Sequence, residues 1–87
     1  MHIESSVSGR LTLKAWNRGV GGRYLESIAL AKRILEEDPD GFWAWNIIGN
    51  AYQSMSDCSE SAHRSAEYSR LAAEAWQRAR SALVLEN

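Results

Sequence analysis

The most reactive side chains of this sequence are Cys58 and His63, which lie five positions apart with Asp57 and Glu60 beside them. Thiolates, imidazoles and carboxylates all serve as metal ligands or acid–base groups. A zinc site, however, needs three or four ligands in a fixed geometry, and a Cys–His pair supplies only two. We therefore predict no catalytic residue, no metal site and no cofactor for this chain.

Two further clusters contain residue types that enzymes use. The segment 19–22 is rich in glycine, but no strand precedes it and no Lys-Ser or Lys-Thr pair follows, so we interpret it as a loop rather than a phosphate cradle. Four acids surround the only proline: Glu36, Glu37, Asp38 and Asp40. They fall at a predicted helix end, where the helix dipole disfavours negative charge. We interpret them as an exposed turn that can still dock a basic partner.

A third set of side chains has the types and the spacing of a binding surface. Trp43, Asn46, Asn50 and Gln53 follow one another at intervals of three, four and three, which places them on one face of a helix. Amide groups can pair with the backbone of an extended peptide, and tryptophan is enriched among interface hot spots. The alternative is a solvent-facing polar surface on which Trp43 is half-buried, and the sequence leaves both interpretations open.

These side chains must be positioned by helices, because apolar and small residues recur at three- and four-residue intervals. A strong break is predicted at residues 38–41, a weaker one at residues 19–22 and a third in the polar stretch 54–59. The predicted faces are Tyr24, Ile28, Ala31 and Leu35; Trp45, Ile48, Tyr52 and Met55; and a small-residue stripe of Ala62, Ala66, Ser69, Ala73 and Trp76, extended by Leu83.

The first segment is ambiguous between a strand and a helix. Residues 10–14 alternate polar and apolar side chains, whereas Leu11, Ala15 and Arg18 share a helix face. An isolated strand would have no partner, so we predict a short helix over residues 8–18. The predicted fold is all-α, with four helices in two antiparallel helix–turn–helix pairs and a long Ala-rich last helix over residues 59–85.

Length and composition exclude several classes of protein. Eighty-seven residues with 45% apolar and 24% charged side chains predict one globular domain over residues 1–87. A single cysteine excludes an internal disulfide, which favours a reducing cytoplasmic setting. No apolar run approaches the roughly 20 residues that span a bilayer, and the first residues lack a signal-peptide pattern. A net charge of −1 argues against a nucleic-acid partner.

Charge is nevertheless segregated along the chain. Residues 1–35 carry six basic and two acidic side chains, whereas residues 36–60 carry six acids and no base. Residues 61–87 carry four arginines and three glutamates. This segregation can attract a second copy of the chain head to tail, and the alternative is that solvated helix faces collect charge by chance.

The chain is weakly similar to itself at a shift of 34 residues, the period of a helix–turn–helix repeat. Trp45, Gly49 and Tyr52 stand at intervals of four and three, and this spacing resembles the first helix of a tetratricopeptide (TPR) repeat. Upstream, residues 22–39 resemble the second helix of a preceding repeat, including its Asp-Pro ending. At this shift Cys58 aligns with a tyrosine, which predicts a packing position for the thiol.

The resemblance covers about two repeats, residues 8–39 and 41–87. The first is degenerate, because Lys14 and Arg18 stand where Leu and Tyr are usual, and the last helix is overlong. In such repeats small residues lie where paired helices cross, which is the role implied for Ser27 and Gly49.

The resemblance implies a concave surface lined by the first helix of each pair. On this chain that surface would consist of Trp43, Asn46, Asn50 and Gln53, joined by Thr12 and Trp16. The basic clamp with which some TPR domains hold a C-terminal carboxylate is not reproduced. Asn50 matches its asparagine, but Asn46 stands where a lysine would be needed.

The function implied by the resemblance is that of a non-enzymatic adaptor that binds a protein segment. A second hypothesis is an assembly subunit that self-associates or docks on a larger helical partner, because about three repeats are generally needed to bury a continuous core. A third is a small enzyme or metal-binding protein.

Overall fold

A computed structural model of the chain describes residues 3–86, with side chains described for residues 9–83. It contains four helices: α1 (Ile3–Val20), α2 (Tyr24–Glu37), α3 (Phe42–Cys58) and α4 (Ala62–Glu86). The described residues include no strand, and the predicted all-α class with four helices is confirmed.

The glycine-rich break predicted at residues 19–22 is confirmed for Gly21 and Gly22, whereas Gly19 and Val20 belong to α1. The backbone N–H of Arg23 donates to the Arg18 carbonyl at 2.8 Å, and that of Gly22 donates to the Gly19 carbonyl at 3.1 Å. These two bonds satisfy carbonyls at the helix end in the pattern of a Schellman motif. The motif needs a left-handed residue, and Gly22 supplies it at φ 84°.

The break at residues 38–41 is also confirmed, and one side chain fastens it. The Asp38 N–H donates to the Ile34 carbonyl at 3.0 Å, closing α2. The indole N–H of Trp45 then donates to the carbonyl of Pro39 at 2.9 Å. The first turn of α3 is thereby tied to the proline that precedes it.

The third break lies later than predicted. Helix α3 continues through Cys58, and the connection to α4 is residues 59–61. The polar stretch stays helical because Ser56 is buried against α4 and its hydroxyl donates to the Ser65 carbonyl at 2.8 Å. Ser61 caps α4, since its hydroxyl accepts the Arg64 N–H at 3.3 Å. Cys58 is exposed, so its predicted packing position is wrong.

Helix α1 is longer than the predicted residues 8–18. It begins at Ile3 and ends at Val20. Gly9 does not interrupt it, because a single glycine costs a helix interior only about 1 kcal/mol relative to alanine. The extension at the C-terminal end matters for the site, because it adds Gly19 and Val20 to the helix.

Helix α3 is central to the packing. It packs against α1, α2 and α4, whereas α1 packs against α2 and α3, and α4 packs mainly on α3. Contacts between α3 and α4 join early residues of one helix to late residues of the other, as the ring of Trp45 lies under Arg78 and Tyr52 stacks on Tyr68. The two helices are therefore antiparallel.

The core consists of small and aliphatic side chains. The predicted faces of α2 and α3 are confirmed, since Ile28, Ala31 and Ile48 are buried and the remaining members pack against them. The predicted stripe of α4 is correct only at Trp76, which packs against Gly49; its other members are exposed, namely Ala62, Ala66, Ser69, Ala73 and Leu83. The buried residues of α4 are instead Ala72, Ala75, Ala79 and Ala82. Alanines occupy more than one face of α4, so small size alone does not identify the face that packs.

Two close helix crossings explain the small residues of the core. Ser27 is 0% exposed, and its hydroxyl donates to the Ala15 carbonyl at 2.7 Å across the α1–α2 contact. Gly49 lies directly against the indole of Trp76, where α3 meets α4. A larger side chain at either position would push the paired helices apart.

Candidate binding groove between α1 and α3

A surface cavity of about 180 Å³ lies where the end of α1, the start of α2 and the middle of α3 meet. We call it the α1–α3 groove. It is lined by Trp16, Gly19, Val20, Tyr24, Ser27, Ile47, Asn50, Ala51 and Ser54. The Schellman turn after α1 places α2 beside this end of α1, and the extension of α1 to Val20 forms one wall.

The groove brings together two of the six predicted partner-binding residues. Trp16 from α1 and Asn50 from α3 both line it, although they are far apart in sequence. Thr12 lies one turn before Trp16 on α1 and does not line the groove. It is half-buried and already interacts with another group of the chain. The other three predicted residues are not part of the lining.

Those three residues continue the same face of α3 beyond the groove. Trp43 is 56% exposed and meets the ring of Phe42 edge-on at 5.1 Å between centroids. Asn46 and Gln53 are half-buried. Together with Asn50 they form a polar strip with one aromatic end, which we call the α3 strip.

The amide of Asn50 is held by a residue of α4. The indole N–H of Trp76 donates to Asn50 Oδ1 at 3.2 Å. Because this bond occupies the amide oxygen, the NH₂ group of Asn50 is left to donate to a ligand. Trp76 therefore both fills the crossing at Gly49 and orients a groove residue.

The side-chain amide of Gln53 is held through its NH₂ group, whereas that of Asn50 is held through its oxygen. The Nε2 atom of Gln53 donates to Asp57 Oδ1 at 3.0 Å, one turn further along α3. The amide oxygen of Gln53 is thereby left as an acceptor. The α3 strip thus offers a donor at Asn50 and an acceptor one turn later, which is the pair of groups that a peptide unit can satisfy.

The groove is neutral. None of the described residues that line it is a carboxylate, an imidazole, an ammonium or a guanidinium group. Its walls are an indole, a phenol, aliphatic side chains and backbone, with hydroxyl and amide groups between them. Such a surface can bury apolar groups and form hydrogen bonds, and it offers no charged acid–base pair.

The pair that first suggested chemistry lies elsewhere. Cys58 and His63 are both exposed, on either side of the connection between α3 and α4. Within residues 3–86, no group of three or more His, Cys, Asp or Glu side chains is arranged to hold a metal ion.

Sequence reasoning missed several groove residues. Val20 lies within the segment 19–22 that the sequence predicts only as a loop, Tyr24 follows it, and Ser54 falls in a predicted break. Trp76 does not line the groove, but its bond to the groove residue Asn50 joins residues 26 positions apart, and the sequence predicts Trp76 only as part of a packing stripe. A valine among the glycines of segment 19–22 is the one sequence signal that could have indicated a groove wall.

No protein-family model, no curated protein and no solved structure matches the chain. None of the helices, over the residues described, combines the length and the apolar character needed to cross a membrane. The fold and the groove described above define a small all-α chain with a neutral groove and an adjoining amide-rich strip.

Proposed function

We propose that this chain is a TPR-like protein-interaction module, and that the α1–α3 groove with the α3 strip binds an extended segment of a partner protein. The observation that carries the proposal is the convergence of Trp16 and Asn50 on one cavity. These residues were selected from separate helices, and a shared groove is what a common binding surface requires.

The path of the chain supports the likeness to TPR repeats. Consecutive helices pack against each other, and α1 also contacts α3, so the first helices of the two pairs are neighbours. The small residues that the repeat pattern needs at helix crossings, Ser27 and Gly49, make such close contacts. Trp45 ties α3 to the Asp-Pro turn, as the end of one repeat and the start of the next would require.

Recognition in this proposal uses neutral groups. The NH₂ of Asn50 donates to a carbonyl of the bound segment, and the amide oxygen of Gln53 accepts one of its N–H groups. Apolar side chains of the segment enter the groove beside Trp16, and Trp43 provides a second contact further along the strip. The proposed module is non-enzymatic and uses no cofactor, and its partner is a protein rather than a nucleic acid. We propose a cytoplasmic location from the single unpaired cysteine.

The test is selection of peptides from a displayed random library, followed by affinity measurement of the selected peptides by calorimetry. The double variant Asn50→Ala, Gln53→Ala removes both amide groups from the strip. Loss of two hydrogen bonds of about 1 kcal/mol each predicts binding at least about tenfold weaker.

The control is Gln77→Ala, which removes an exposed amide from α4, outside the groove. Peptides selected on the wild-type chain should bind this variant with unchanged affinity. Circular dichroism should show equal helicity for all variants. Failure to select any peptide, or equal binding by the Asn50–Gln53 double variant, would refute the proposed function.

A further inference from the structure

Helix α1 exposes an apolar stripe that no other described helix covers. Leu13, Trp16 and Val20 are 62%, 43% and 75% exposed, and their spacing of three and four places them on one side of the helix. The opposite side of α1 faces the core through Ala15. We call this stripe the α1 face.

Helix α4, which lies at the other end of the stack of helices, has a different exposed surface. Its outward residues are mostly charged, amide or alanine side chains, and Leu83 is its only exposed large hydrophobic residue in the described part of the chain. Contiguous exposed apolar surface on a small protein marks an interaction site. Of the two ends of the stack, the end formed by α1 exposes the larger apolar surface. We therefore expect a partner to bind at the α1 face.

The charges beside the α1 face indicate what covers it. Arg10 and Lys14 are exposed next to the stripe, and neither forms an ion pair with another described residue. Residues 9–20 contain no acid. A complementary surface must therefore combine negative charge with an apolar anchor.

The same chain carries such a surface at the turn between α2 and α3. The acids there are exposed and form no ion pair within the described residues: Glu36, Glu37, Asp38 and Asp40. The last turn of α2 contains no basic residue to balance the helix dipole. Trp43 projects from α3 directly after this turn and is exposed. We call the acids with Trp43 the acidic corner.

We propose that the chain self-associates, with the α1 face of one copy docked on the acidic corner of a second copy. Leu13 and Val20 would be covered by the second copy, while Arg10 and Lys14 meet its carboxylates. A symmetric contact between two α1 faces is disfavoured, because it would oppose the basic residues of one copy to those of the other. The proposal does not require the proposed peptide-binding function, but the two compete for Val20, which also lines the α1–α3 groove.

Sedimentation velocity over a concentration series tests the proposal with the chain alone. The variant Leu13→Ser, Lys14→Ser damages the α1 face, and the variant Glu36→Gln, Glu37→Gln damages the acidic corner. The first variant loses one charge and the apolar contact of Leu13, and the second loses two charges, so each alone should associate about tenfold more weakly than the wild-type chain.

An equimolar mixture of the two variants distinguishes this contact from a symmetric one. Each variant keeps the surface that the other has lost, so the mixture should recover association between unlike chains. Raising the salt from about 0.1 M to about 1 M shortens the screening length from about 10 Å to about 3 Å and should weaken wild-type association.

The control pair is Arg80→Ser and Glu67→Gln, which removes one exposed charge of each sign from α4 and should leave association unchanged. A wild-type chain that stays monomeric at every concentration would overturn the proposal. So would an effect of the α1-face variant without any effect of the acidic-corner variant, since that is the signature of a symmetric contact. Neither association variant alters a groove residue, so peptide affinities measured at concentrations where the chain is monomeric report separately on the proposed function.

Discussion

Gly49 is the residue on which both the packing and the groove depend. It sits on α3 where the indole of Trp76 lies against the backbone, and a Cβ placed there would come within 2.9 Å of the Cε2 atom of that indole. The same indole donates to Asn50. A single glycine thus allows the α3–α4 crossing and the orientation of the Asn50 amide.

We predict that Gly49→Ala destabilises the chain. Overpacking at a tight contact costs about 1–3 kcal/mol, and the gain in helix propensity offsets only about 0.5–1 kcal/mol of it. The net loss in the free energy of unfolding should be about 1 kcal/mol, measured by urea denaturation followed by circular dichroism.

Gly9→Ala is the matched control for this prediction. Gly9 is also inside a helix, but an added Cβ would lie more than 4 Å from every described atom outside its own helical turn. Only the propensity gain remains, so this variant should be more stable than the wild-type chain by about 0.5–1 kcal/mol. If both variants shift stability in the same direction, the contact with Trp76 does not determine the size limit at Gly49.

At the residue level, the sequence predicted which polar side chains share one face of α3, but not the hydrogen bonds that orient them. The spacing of Trp43, Asn46, Asn50 and Gln53 was sufficient, because a helix face follows directly from periodicity. The partner that orients Asn50 was not predictable, since Trp76 approaches it only after α4 has packed on α3. Local patterns contain no information on such a contact across the fold.

Among the elements, the turn between α1 and α2 has the most specific backbone requirement. Gly22 has a φ of 84°, and the two backbone hydrogen bonds of the Schellman motif depend on it. We predict that Gly22→Ala lowers the free energy of unfolding by about 1–2 kcal/mol, the cost of placing a side chain in the left-handed region. Urea denaturation provides the measurement.

The neighbouring Gly21→Ala variant separates backbone strain from crowding. Gly21 does not have a positive φ, and an added Cβ would lie 3.4 Å from the Asn17 carbonyl oxygen, an ordinary contact. Its stability should stay within about 0.5 kcal/mol of the wild-type value. An equal loss in both variants would mean that the turn is sensitive to any side chain rather than to the conformation of Gly22.

At the scale of elements, the sequence predicted a feature correctly only where its residue types differ from those around it. The turns at residues 19–22 and 38–41 were predicted because glycine and proline have specific backbone effects. The face of α4 was not, because exposed Ala66 and Ala73 have the same side chain as buried Ala72 and Ala75. Only the packing against α3 distinguishes them.

For the whole molecule, the position of α3 between its neighbours implies an uneven distribution of stability. It packs against all three other helices, whereas α1 is covered by α2 and α3 on one side only. Local opening free energies rise with the number of buried contacts that must be broken. The amides of α3 should therefore exchange more slowly with solvent than those of α1.

Hydrogen exchange measured by NMR tests this order and connects it to self-association. In dilute solution, we predict that the amides of residues 44–55 are the most protected and that those of residues 13–20 exchange by local opening of α1. At concentrations where sedimentation detects association, the protection of residues 13–20 should increase while that of α3 changes little, because a second copy covers α1 and leaves the interior as it was.

Protection of α1 equal to that of α3 in dilute solution would contradict the predicted order. Protection of α1 that does not change as association proceeds would place the contact between copies on another surface.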